Sequence, residues 1–558
     1  MLTKLGIDTK VLKIEWPRDL VPSQSPKFES LARKYRFRIL GEACRDSNVR
    51  NLLLAHHEDD QYETIMMRLA TGHKGRGLLG MKASGQIAEC YGIYGVYGSG
   101  AMGEDFWRVP LSELGIYKEQ GKSSSFGAST ETPQKPVLRP LMDDSQIREP
   151  TKAEIRAQRR QKKISRLPIL GQMRLEDGGI RVLRPLLQYS KERLIATCLQ
   201  DGTSWFEDHT NADPTLTPRN AIRHIYKQHS IPAALQKDSI IAFSAALRRK
   251  KESLDREAFS LLNHCSIKGF EPRAGSFFVR FPKLTSSERN SAGVEDKTME
   301  EQNRREIACR LLKYAIEAVT PNERVQYPHI EQVCSIVFPE LNTAKDQGKV
   351  NLVTFAVGGV MFQRNELRIS LSTESEGAVS KVGSDKDAQQ HTNTMPMQDY
   401  EWFLSRQPHI SLPEHQPILE YPPLTFFKDE NDGWKFYDGR YWVRVFNHTL
   451  STIKVRPFRK EDLPAFRELK FKAFETFQHR LQTIARGKVR FTLPVIVLAA
   501  AGPGEKEKVL ALPTLDVTVY DAKKFMNYEI RYKKVKWPRL QEMGGLLSVS
   551  VPRPNPAT

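Results

Sequence analysis

A chain of 558 residues is longer than one hydrophobic core usually supports, so about two to four domains are expected. The 85 Lys and Arg residues outnumber the 66 Asp and Glu residues, which gives a formal charge of +19. This charge favours a protein that binds nucleic acid over a basic protein that does not. Six widely separated cysteines without C-x-x-C spacing argue against a zinc ribbon or a disulfide framework and favour a reducing compartment. No apolar run approaches the roughly 18 residues of a membrane-spanning helix, so no membrane partner is expected.

The first part of the chain alternates strand-like and helix-like patterns. Residues 11–14 and 51–55 are short and apolar or β-branched, as in strands, whereas 26–42 and 58–70 have helical spacing. This alternation predicts a parallel sheet with helices, of the α/β class.

Regular patterning stops after residue 81 and returns at residue 180. The stretch between them, 82–179, is rich in Tyr, Gly, Ser and Thr and then in Arg and Lys, which is typical of a low-complexity basic insert. The predicted domains are residues 1–81 with 180–225, a helical and α+β module at 226–371 that is expected to bind nucleic acid, a linker at 372–399, and a strand-rich α+β domain at 400–558.

The run Ala55-His-His-Glu-Asp-Asp-Gln-Tyr-Glu-Thr64 follows the second predicted strand, where the ligand crevice of an α/β sheet opens. His56, Asp60 and Glu63 are spaced by four and three residues, so they share one face of the next helix. Carboxylates on such a face can coordinate Mg²⁺ or receive an ammonium group. The alternative is structural: Asp59 and Asp60 cap the helix, and Glu63 is a solvated residue that complements its dipole.

This run resembles the signature of the tRNA(Ile)-lysidine synthase family within the PP-loop ATPases. The resemblance continues through Met67-Arg-Leu69 to Gly77-Leu-Leu-Gly-Met81. A second block follows in an order and spacing similar to that family's: Arg184-Pro-Leu-Leu187, Trp205-x-Glu207-Asp208-x-x-Asn211 and Arg219-Asn220-x-x-Arg223. Two blocks in order make the resemblance specific.

The resemblance implies an adenine-nucleotide alpha-hydrolase-like α/β domain and an ATP-dependent ligase that forms a C–N bond. Such an enzyme adenylates the C2 position of cytidine 34 in the CAU anticodon of tRNA(Ile). The amine of free L-lysine then displaces AMP. The implied cofactors are ATP and Mg²⁺, and the implied partners are this tRNA and free lysine, with no oligomeric state implied.

The resemblance also assigns roles to individual residues. Asp60 and Glu63 position the lysine ammonium group or Mg²⁺, with Asp60 as the metal ligand, and His56 lies beside them. Arg223, together with Arg219, contacts phosphate or the activated base, since a guanidinium group suits phosphate oxygens.

Asp208 and Asn211 are assigned to substrate or tRNA binding, with the alternative that they only shape a turn.

Two features depart from the family pattern. Thr71 stands where the family usually has Arg, and the chain contains no Ser-Gly-Gly-x-Asp-Ser string, whose amides would cradle pyrophosphate. We therefore expect that the first part of the PP-loop domain is missing from this sequence. We also expect that this chain alone lacks detectable ligase activity.

Aromatic and basic residues interleave in the last predicted domain, from Trp434 to Arg444 and again around Arg486 to Arg490. Such a pattern suits phosphate contact and stacking on unpaired bases. It also resembles the family's layout, in which C-terminal domains grip the acceptor stem of the tRNA. The alternative is an ordinary strand with a packed aromatic face and a solvated basic face.

Two other functions stay open. One is a non-catalytic tRNA-binding protein derived from the ligase, and the other is a different PP-loop tRNA-modifying enzyme such as one that thiolates tRNA, although the cysteines supply no Fe–S ligand set. An in-frame Ser-Gly-Gly-x-Asp-Ser loop upstream of Met1 would favour the ligase. The resemblance to the eukaryotic organellar branch places the protein in the mitochondrion, and otherwise in the cytoplasm.

Overall fold

The computed structural model describes residues 6–17, 28–100, 170–207, 213, 215, 217–284, 294–342, 353–366, 396–409, 415–425, 432–500, 502, 505–519 and 522–545. Residues up to 101 and from 172 onward form one compact unit. A second unit, 102–171, lies almost entirely outside the described residues. Most of the predicted insert and linker, together with Asp208 and Asn211, lie outside them as well.

The first domain alternates helices with the strands of a small sheet. Its elements are α1 (Phe28–Asp46), β1 (Asn51–Leu53), α2 (Glu58–Ala70), β2 (Ser84–Gln86), β3 (Arg181–Leu183), α3 (Lys191–Gln200) and α4 (Pro218–Gln228). The strand order is β1–β3–β2, and β1 is parallel to β3, with Leu52 opposite Val182. The α/β class is thereby confirmed, but the sheet is mixed rather than wholly parallel, because β2 runs antiparallel to β3. The predicted strand at 11–14 is wrong: it pairs with no strand of the described chain, and Val11 is 98% exposed.

The tyrosine- and glycine-rich residues 84–100 pack into this domain, although the sequence places the insert from residue 82. Cys90 and Val96 are buried against Phe37 of α1. Gly41 permits the close approach, because a Cβ atom there would lie 2.6 Å from Cγ1 of Val96. The folded first domain therefore extends past the predicted start of the insert.

The middle module packs three helices against an antiparallel sheet. Its elements are α5 (Lys237–Leu262), β4 (Ser266–Glu271), β5 (Ser276–Arg280), α6 (Val294–Val319), α7 (Tyr327–Val337), β6 (Thr354–Val357), β7 (Val360–Glu366) and β8 (Tyr400–Arg406). The sheet order is β4–β5–β8–β7–β6. Phe403 of β8 lies opposite both Phe278 of β5 and Gln363 of β7. The strand at residue 400 thus completes the middle sheet, although the sequence places it in the last domain.

The last part of the chain forms two antiparallel sheets. Its elements are β9 (Leu419–Tyr421), β10 (Lys435–Tyr437), β11 (Tyr441–Asn447), β12 (Ile453–Pro457), α8 (Leu463–Arg467), α9 (Phe471–Thr483), β13 (Pro494–Leu498), β14 (Lys508–Leu512), β15 (Val517–Thr518), β16 (Met526–Tyr532) and α10 (Pro538–Gly545). The sheet orders are β10–β11–β16 and β15–β14–β13–β12–β9. The strand-rich character predicted for this region is confirmed. None of the helices in the described ranges is long and apolar enough to cross a membrane.

A buried carboxylate and stacked aromatic rings join the first domain to the sheet β10–β11–β16. Tyr94 stacks on Trp434, with ring centroids 4.8 Å apart, and its hydroxyl donates to Oε1 of Glu176 at 3.0 Å. Arg531 of β16 donates to the same oxygen at 2.8 Å, and the amide of Gly100 donates to Oε2 at 2.9 Å. Glu176 is 3% exposed, so three donors share one desolvated carboxylate. We name this group the Glu176 junction.

Candidate active site

The helix α2 begins a few residues after β1 and carries the acidic residues of the motif. Asp60 caps this helix: its Oδ2 accepts a hydrogen bond from the backbone amide of His57 at 3.0 Å. The capping role that the sequence offered as an alternative is therefore real for Asp60. For Glu63 the alternative is wrong, because this residue is 3% exposed and not solvated.

Asp59 connects α2 to two other helices. Its Oδ2 accepts from the backbone amide of Lys191, at the start of α3, at 2.7 Å, and its Oδ1 accepts from Nζ of Lys237, at the start of α5, also at 2.7 Å. Burial alone would raise the pKa of Asp59, but hydrogen bonds from His57, Lys237 and the Lys191 amide hold it well below its ordinary value. The charged Asp59 carboxylate therefore holds α2 against the first turns of α3 and α5.

Glu63 is paired with two arginines of α4. Nε and Nη2 of Arg223 donate to Oε1 at 2.5 Å and to Oε2 at 3.2 Å, and Nε of Arg219 lies 3.2 Å from Oε2. Nη1 of Arg219 also lies 3.6 Å from Oδ1 of Asp60. Burial raises the pKa of Glu63, while Arg223 and Arg219 oppose that rise. The structure therefore brings together four of the predicted residues: Asp60, Glu63, Arg219 and Arg223.

The local sequence of α4 explains how both arginines reach this carboxylate. The hydroxyl of Thr217 caps the helix by accepting from the amide of Asn220 at 3.1 Å, and Pro218 occupies the first turn. The two arginines are four residues apart and therefore share one helix face. The helix start thus fixes the direction in which both guanidinium groups point.

His56 lines a cleft beside this group. Burial lowers the pKa of His56, although Asp60 opposes the shift, so the imidazole is held neutral near pH 7. Its Nδ1 is buried and has no hydrogen-bond partner among the described residues. A neutral imidazole with a free ring nitrogen can accept a proton from a group bound in the cleft.

The cleft has a volume of about 360 Å³ and is rich in arginine. Its lining residues are Glu29, Arg33, His56, Thr64, Met67, Arg68, Met81, Arg184 and Arg219. Burial, followed by the nearby charge of Arg33, lowers the pKa of Arg184, so these cations lie close enough to repel one another. Four guanidinium groups around one cavity suit a ligand with several phosphate or carboxylate oxygens. We name this cavity the arginine cleft.

Three of these arginines were not predicted as site residues. Arg184 belongs to the Arg-Pro-Leu-Leu block, whose pattern assigns no role to the arginine. Arg68 lies in the Met67-Arg-Leu69 part of the first block, which assigns no role to the arginine. Nothing in the sequence singles out Arg33, because α1 lies outside both motif blocks.

The glycine-rich segment after α2 closes one side of the cleft. The side-chain amide of Gln61 donates to the carbonyl oxygen of Met81 at 3.0 Å and accepts from its amide at 2.5 Å. Arg68 donates to the carbonyl oxygens of Gly77 and Gly80, both at 3.1 Å. Gln61 and Arg68 therefore fix this segment against α2, a role that the motif spacing did not reveal.

Among the described residues, no group of three or more His, Cys, Asp and Glu side chains is arranged to hold a metal ion. Asp60 is the predicted metal ligand, and its two oxygens face the His57 amide and Arg219. The metal role of Asp60 stays a prediction. Asp208 and Asn211 lie outside the described residues, so their assignment also stays a prediction.

The aromatic stretch of the last region is packed rather than open. Trp434, Tyr437, Tyr441 and Trp442 are buried, and Arg440 is fully buried against Asp438. These rings cannot stack on the bases of a bound RNA while they remain in the core. The predicted base-stacking surface at this position is therefore wrong. The packed aromatic face of the alternative is confirmed, but its solvated basic face is wrong, because Arg440 and Arg444 are buried.

Comparison with known proteins agrees with this geometry. The PP-loop domain family matches residues 1–93 and 155–229. A probable tRNA(Ile)-lysidine synthase of Schizosaccharomyces pombe (strain 972 / ATCC 24843) is 23% identical over 518 residues, which cover 92% of this chain and 79% of that protein. The tRNA(Ile)-lysidine synthase of Wolbachia pipientis wMel is 50% identical over 50 residues, or 9% of this chain and 12% of that protein. That of Bordetella parapertussis (strain 12822 / ATCC BAA-587 / NCTC 13253) is 36% identical over 89 residues, or 16% and 24%. The chain therefore carries a PP-loop domain and is similar to tRNA(Ile)-lysidine synthases, over most of its length in the case of the Schizosaccharomyces pombe protein.

Proposed function

We propose that this protein is a tRNA(Ile)-lysidine synthase, an ATP-dependent ligase that joins free L-lysine to C2 of cytidine 34 in the CAU anticodon of tRNA(Ile). The observation that carries the proposal is the arginine cleft beside the pair of Glu63 with Arg223. Phosphate-rich substrates need such a concentration of guanidinium groups, and a substrate amine needs carboxylates next to it.

The arginines of the cleft would act on the phosphate groups. Arg33, Arg68, Arg184 and Arg219 approach the cavity from different parts of the chain, so a bound phosphate would be contacted from several sides. Their charges would stabilise the negative charge that develops as the adenylate leaves. Fixed guanidinium groups also orient the phosphate, which lowers the entropy cost of the reaction.

The acidic residues would receive the amine. An ammonium group entering the site would share Asp60 and Glu63 with Arg219 and Arg223, because both carboxylates are already engaged by these arginines. In the second step the lysine nitrogen forms a bond to C2, the bond from C2 to the adenylate oxygen breaks, and AMP leaves. His56 would take the proton that the ammonium group must lose before its nitrogen can attack, since its ring is neutral and lines the same cavity. The phosphate of the leaving AMP would take the second proton, which the nitrogen loses once it is bonded to C2.

We propose Mg²⁺ as the counter-ion of the triphosphate. Nucleotide sites usually hold this ion through one or two carboxylates and the phosphates themselves, and Asp60 is the carboxylate that would contact it. The Oδ1 atom of Asp60 lies 3.6 Å from Nη1 of Arg219, so Asp60 would release that guanidinium group in order to hold the ion. By likeness to the family, we also propose free lysine and tRNA(Ile) with its CAU anticodon as substrates. The proposed location is the mitochondrion.

The test measures ATP-dependent incorporation of labelled lysine into a tRNA(Ile) transcript by the protein expressed from its complete gene. Replacing Arg184 with Ala should lower incorporation about 10- to 100-fold, because a charge-assisted hydrogen bond contributes about 1.5–3 kcal/mol. The matched control is Arg181→Ala, three residues earlier on the exposed side of β3. This variant should retain most of the activity.

Two results would contradict the proposal. Tight binding of tRNA without any ATP-dependent incorporation would favour the non-catalytic tRNA-binding protein. Incorporation of sulfur instead of lysine would favour the other PP-loop enzymes. A transcript carrying a GAU anticodon, which has no cytidine at position 34, serves as the negative substrate.

A further inference from the structure

A series of lysine side chains begins beside the arginine cleft. It lies where the first domain contacts α5, α6 and the segment after β16. The first is Lys82, which directly follows Met81 of the cleft wall. Its carbonyl oxygen accepts a hydrogen bond from Nη1 of Arg184, another cleft residue, at 2.9 Å. Burial, then the ammonium groups of Lys251 and Lys313, lower the pKa of Lys82. Nε of Arg248, one helical turn before Lys251 on α5, donates to the carbonyl oxygen of Leu79 at 2.9 Å, so α5 brings Lys251 to the segment that carries Lys82.

Lys536 extends the group beyond α6. Its Nζ lies 3.1 Å from Oε2 of Glu317, and Nζ of Lys313 lies 3.7 Å from Oε1 of the same carboxylate. Both lysine side chains are about half exposed. One carboxylate thus positions two lysines but can neutralise only one of them.

The other charged residues nearby do not neutralise these lysines either. Lys251 pairs with Asp255, whose other oxygen accepts from Arg310 at 2.7 Å. Nζ of Lys82 makes no hydrogen bond or salt bridge within the described part of the chain. We name Lys82, Lys251, Lys313 and Lys536 the lysine row; it carries a surplus of positive charge that begins at the rim of the cleft.

The position of the lysine row favours RNA as its partner. Lysine ammonium groups act as point charges and contact phosphate oxygens without reading the base, as in the backbone contacts of nucleic-acid-binding proteins. An RNA whose unpaired nucleotide enters the cleft must continue past the rim, and the lysine row is continuous with that rim. An anionic membrane surface is the competing partner.

We propose that the lysine row binds the phosphate backbone of the RNA whose nucleotide occupies the arginine cleft. This inference rests on the proposed function, because it takes RNA as the substrate. It adds a contact surface formed jointly by the first domain, the helices of the middle module and the segment after β16.

The test measures the affinity of the full chain for a fluorescent tRNA(Ile) transcript between 50 and 200 mM KCl. The variant Lys313→Ala/Lys536→Ala should bind about tenfold more weakly at the lowest salt. The slope of log affinity against log salt should also become shallower by about 1.4 to 1.8, since each lost phosphate contact contributes about 0.7 to 0.9. The variant Lys313→Arg/Lys536→Arg should restore the slope, which separates charge from folding defects.

The matched control is Lys268→Ala/Lys283→Ala. These lysines also lie at the surface in salt bridges, with Glu401 and Asp399, and their loss changes the net charge equally. The control should bind within about twofold of the unmodified protein. Equal weakening by both pairs would overturn the proposal, because the effect would then follow from net charge alone.

Two further outcomes are distinguishable. If Lys313→Ala/Lys536→Ala lost binding to phosphatidylserine vesicles but kept RNA affinity, the partner would be a membrane surface and the proposal would fall. If tRNA bound through the lysine row but the protein expressed from its complete gene incorporated no lysine, the proposed function would fail while this contact surface would stand.

Discussion

Asp59 and Glu63 lie one helical turn apart on α2, and the fold shifts the pKa values of their carboxyl groups in opposite directions. Asp59 is half-buried, but three hydrogen-bond donors outweigh its desolvation and lower its pKa. Glu63 is more deeply buried, so desolvation exceeds the effect of its arginines and raises its pKa. Neighbouring acids in one motif thus perform different tasks: Asp59 ties helices together, and Glu63 engages the arginines of α4.

The lowered pKa of Asp59 predicts a pH-dependent contribution to stability. Asp59→Asn should reduce the free energy of unfolding by about 1–3 kcal/mol at pH 7, because hydrogen bonds to a charged acceptor are lost or weakened. The folded-state pKa lies below the unfolded value of about 3.9, so this contribution is complete above pH 5 and declines as the pH falls below about 4.

Urea unfolding of the two proteins across that pH range checks this expectation. The exposed Asp201, at the end of α3, provides the control variant Asp201→Asn, which should change stability little at any pH. A stability difference for Asp59→Asn that grew as the pH fell would contradict the assigned role.

At the scale of elements, the contact between α2 and the glycine-rich segment depends on one backbone conformation. Gly80 has φ +65°, and a Cβ atom there would lie 2.5 Å from Oε1 of Gln61. That oxygen accepts the amide of Met81, so a side chain at Gly80 would break the contact that fixes the segment. The cleft wall at Met81 would then lose its support.

We therefore expect Gly80→Ala to be destabilising by at least about 1–2 kcal/mol from the left-handed backbone alone. The control is Gly85→Ala in β2, where a Cβ atom meets nothing within 4 Å. This substitution should be neutral or slightly stabilising, since it restricts the unfolded chain. Thermal unfolding measures both, and equal melting temperatures would show that the segment yields without cost.

Elements with a strong local signal were predictable from sequence, and contacts between distant elements were not. The predicted helix at 58–70 agrees with α2, because helical spacing and an acidic first turn are local features. Residues 11–14 have the composition of a strand, but strand formation needs a partner, which composition does not supply. For the same reason β8 was assigned to the wrong side of a domain boundary.

The candidate site shows the same division. His56, Asp60 and Glu63 were predicted because they lie on one helix face, and Arg219 and Arg223 because they fall in the second motif block. Arg33, Arg68 and Arg184 reach the same cavity only through the packing of α1, α2 and the residues after β3. Their convergence is a tertiary property that spacing along the chain does not encode.

At the scale of the whole molecule, the Glu176 junction connects the first domain to the last sheet. Its carboxylate accepts from Tyr94, Gly100 and Arg531, so its loss leaves several buried donors unpaired. Glu176→Ala should cost about 3–5 kcal/mol, as expected when one partner of a buried charged pair is removed. The first domain should then open locally before the rest of the molecule unfolds.

Hydrogen exchange followed by mass spectrometry checks this at peptide resolution. Faster exchange should be confined to β2, residues 87–100 and β16 at low denaturant. Glu529→Ala is the control, because Glu529 is more exposed and lies 3.4 Å from the same Arg531. If both variants accelerated exchange equally, the junction would not depend on the buried carboxylate.

The arginine cleft has a consequence for how the protein behaves in a test tube. Four like charges gathered around about 360 Å³ repel one another, so multivalent anions in the buffer should raise the melting temperature by binding there. Sulfate or phosphate would also compete with the phosphates of the substrates. We therefore expect that the buffer anion that raises the melting temperature most also lowers the rate of the reaction most.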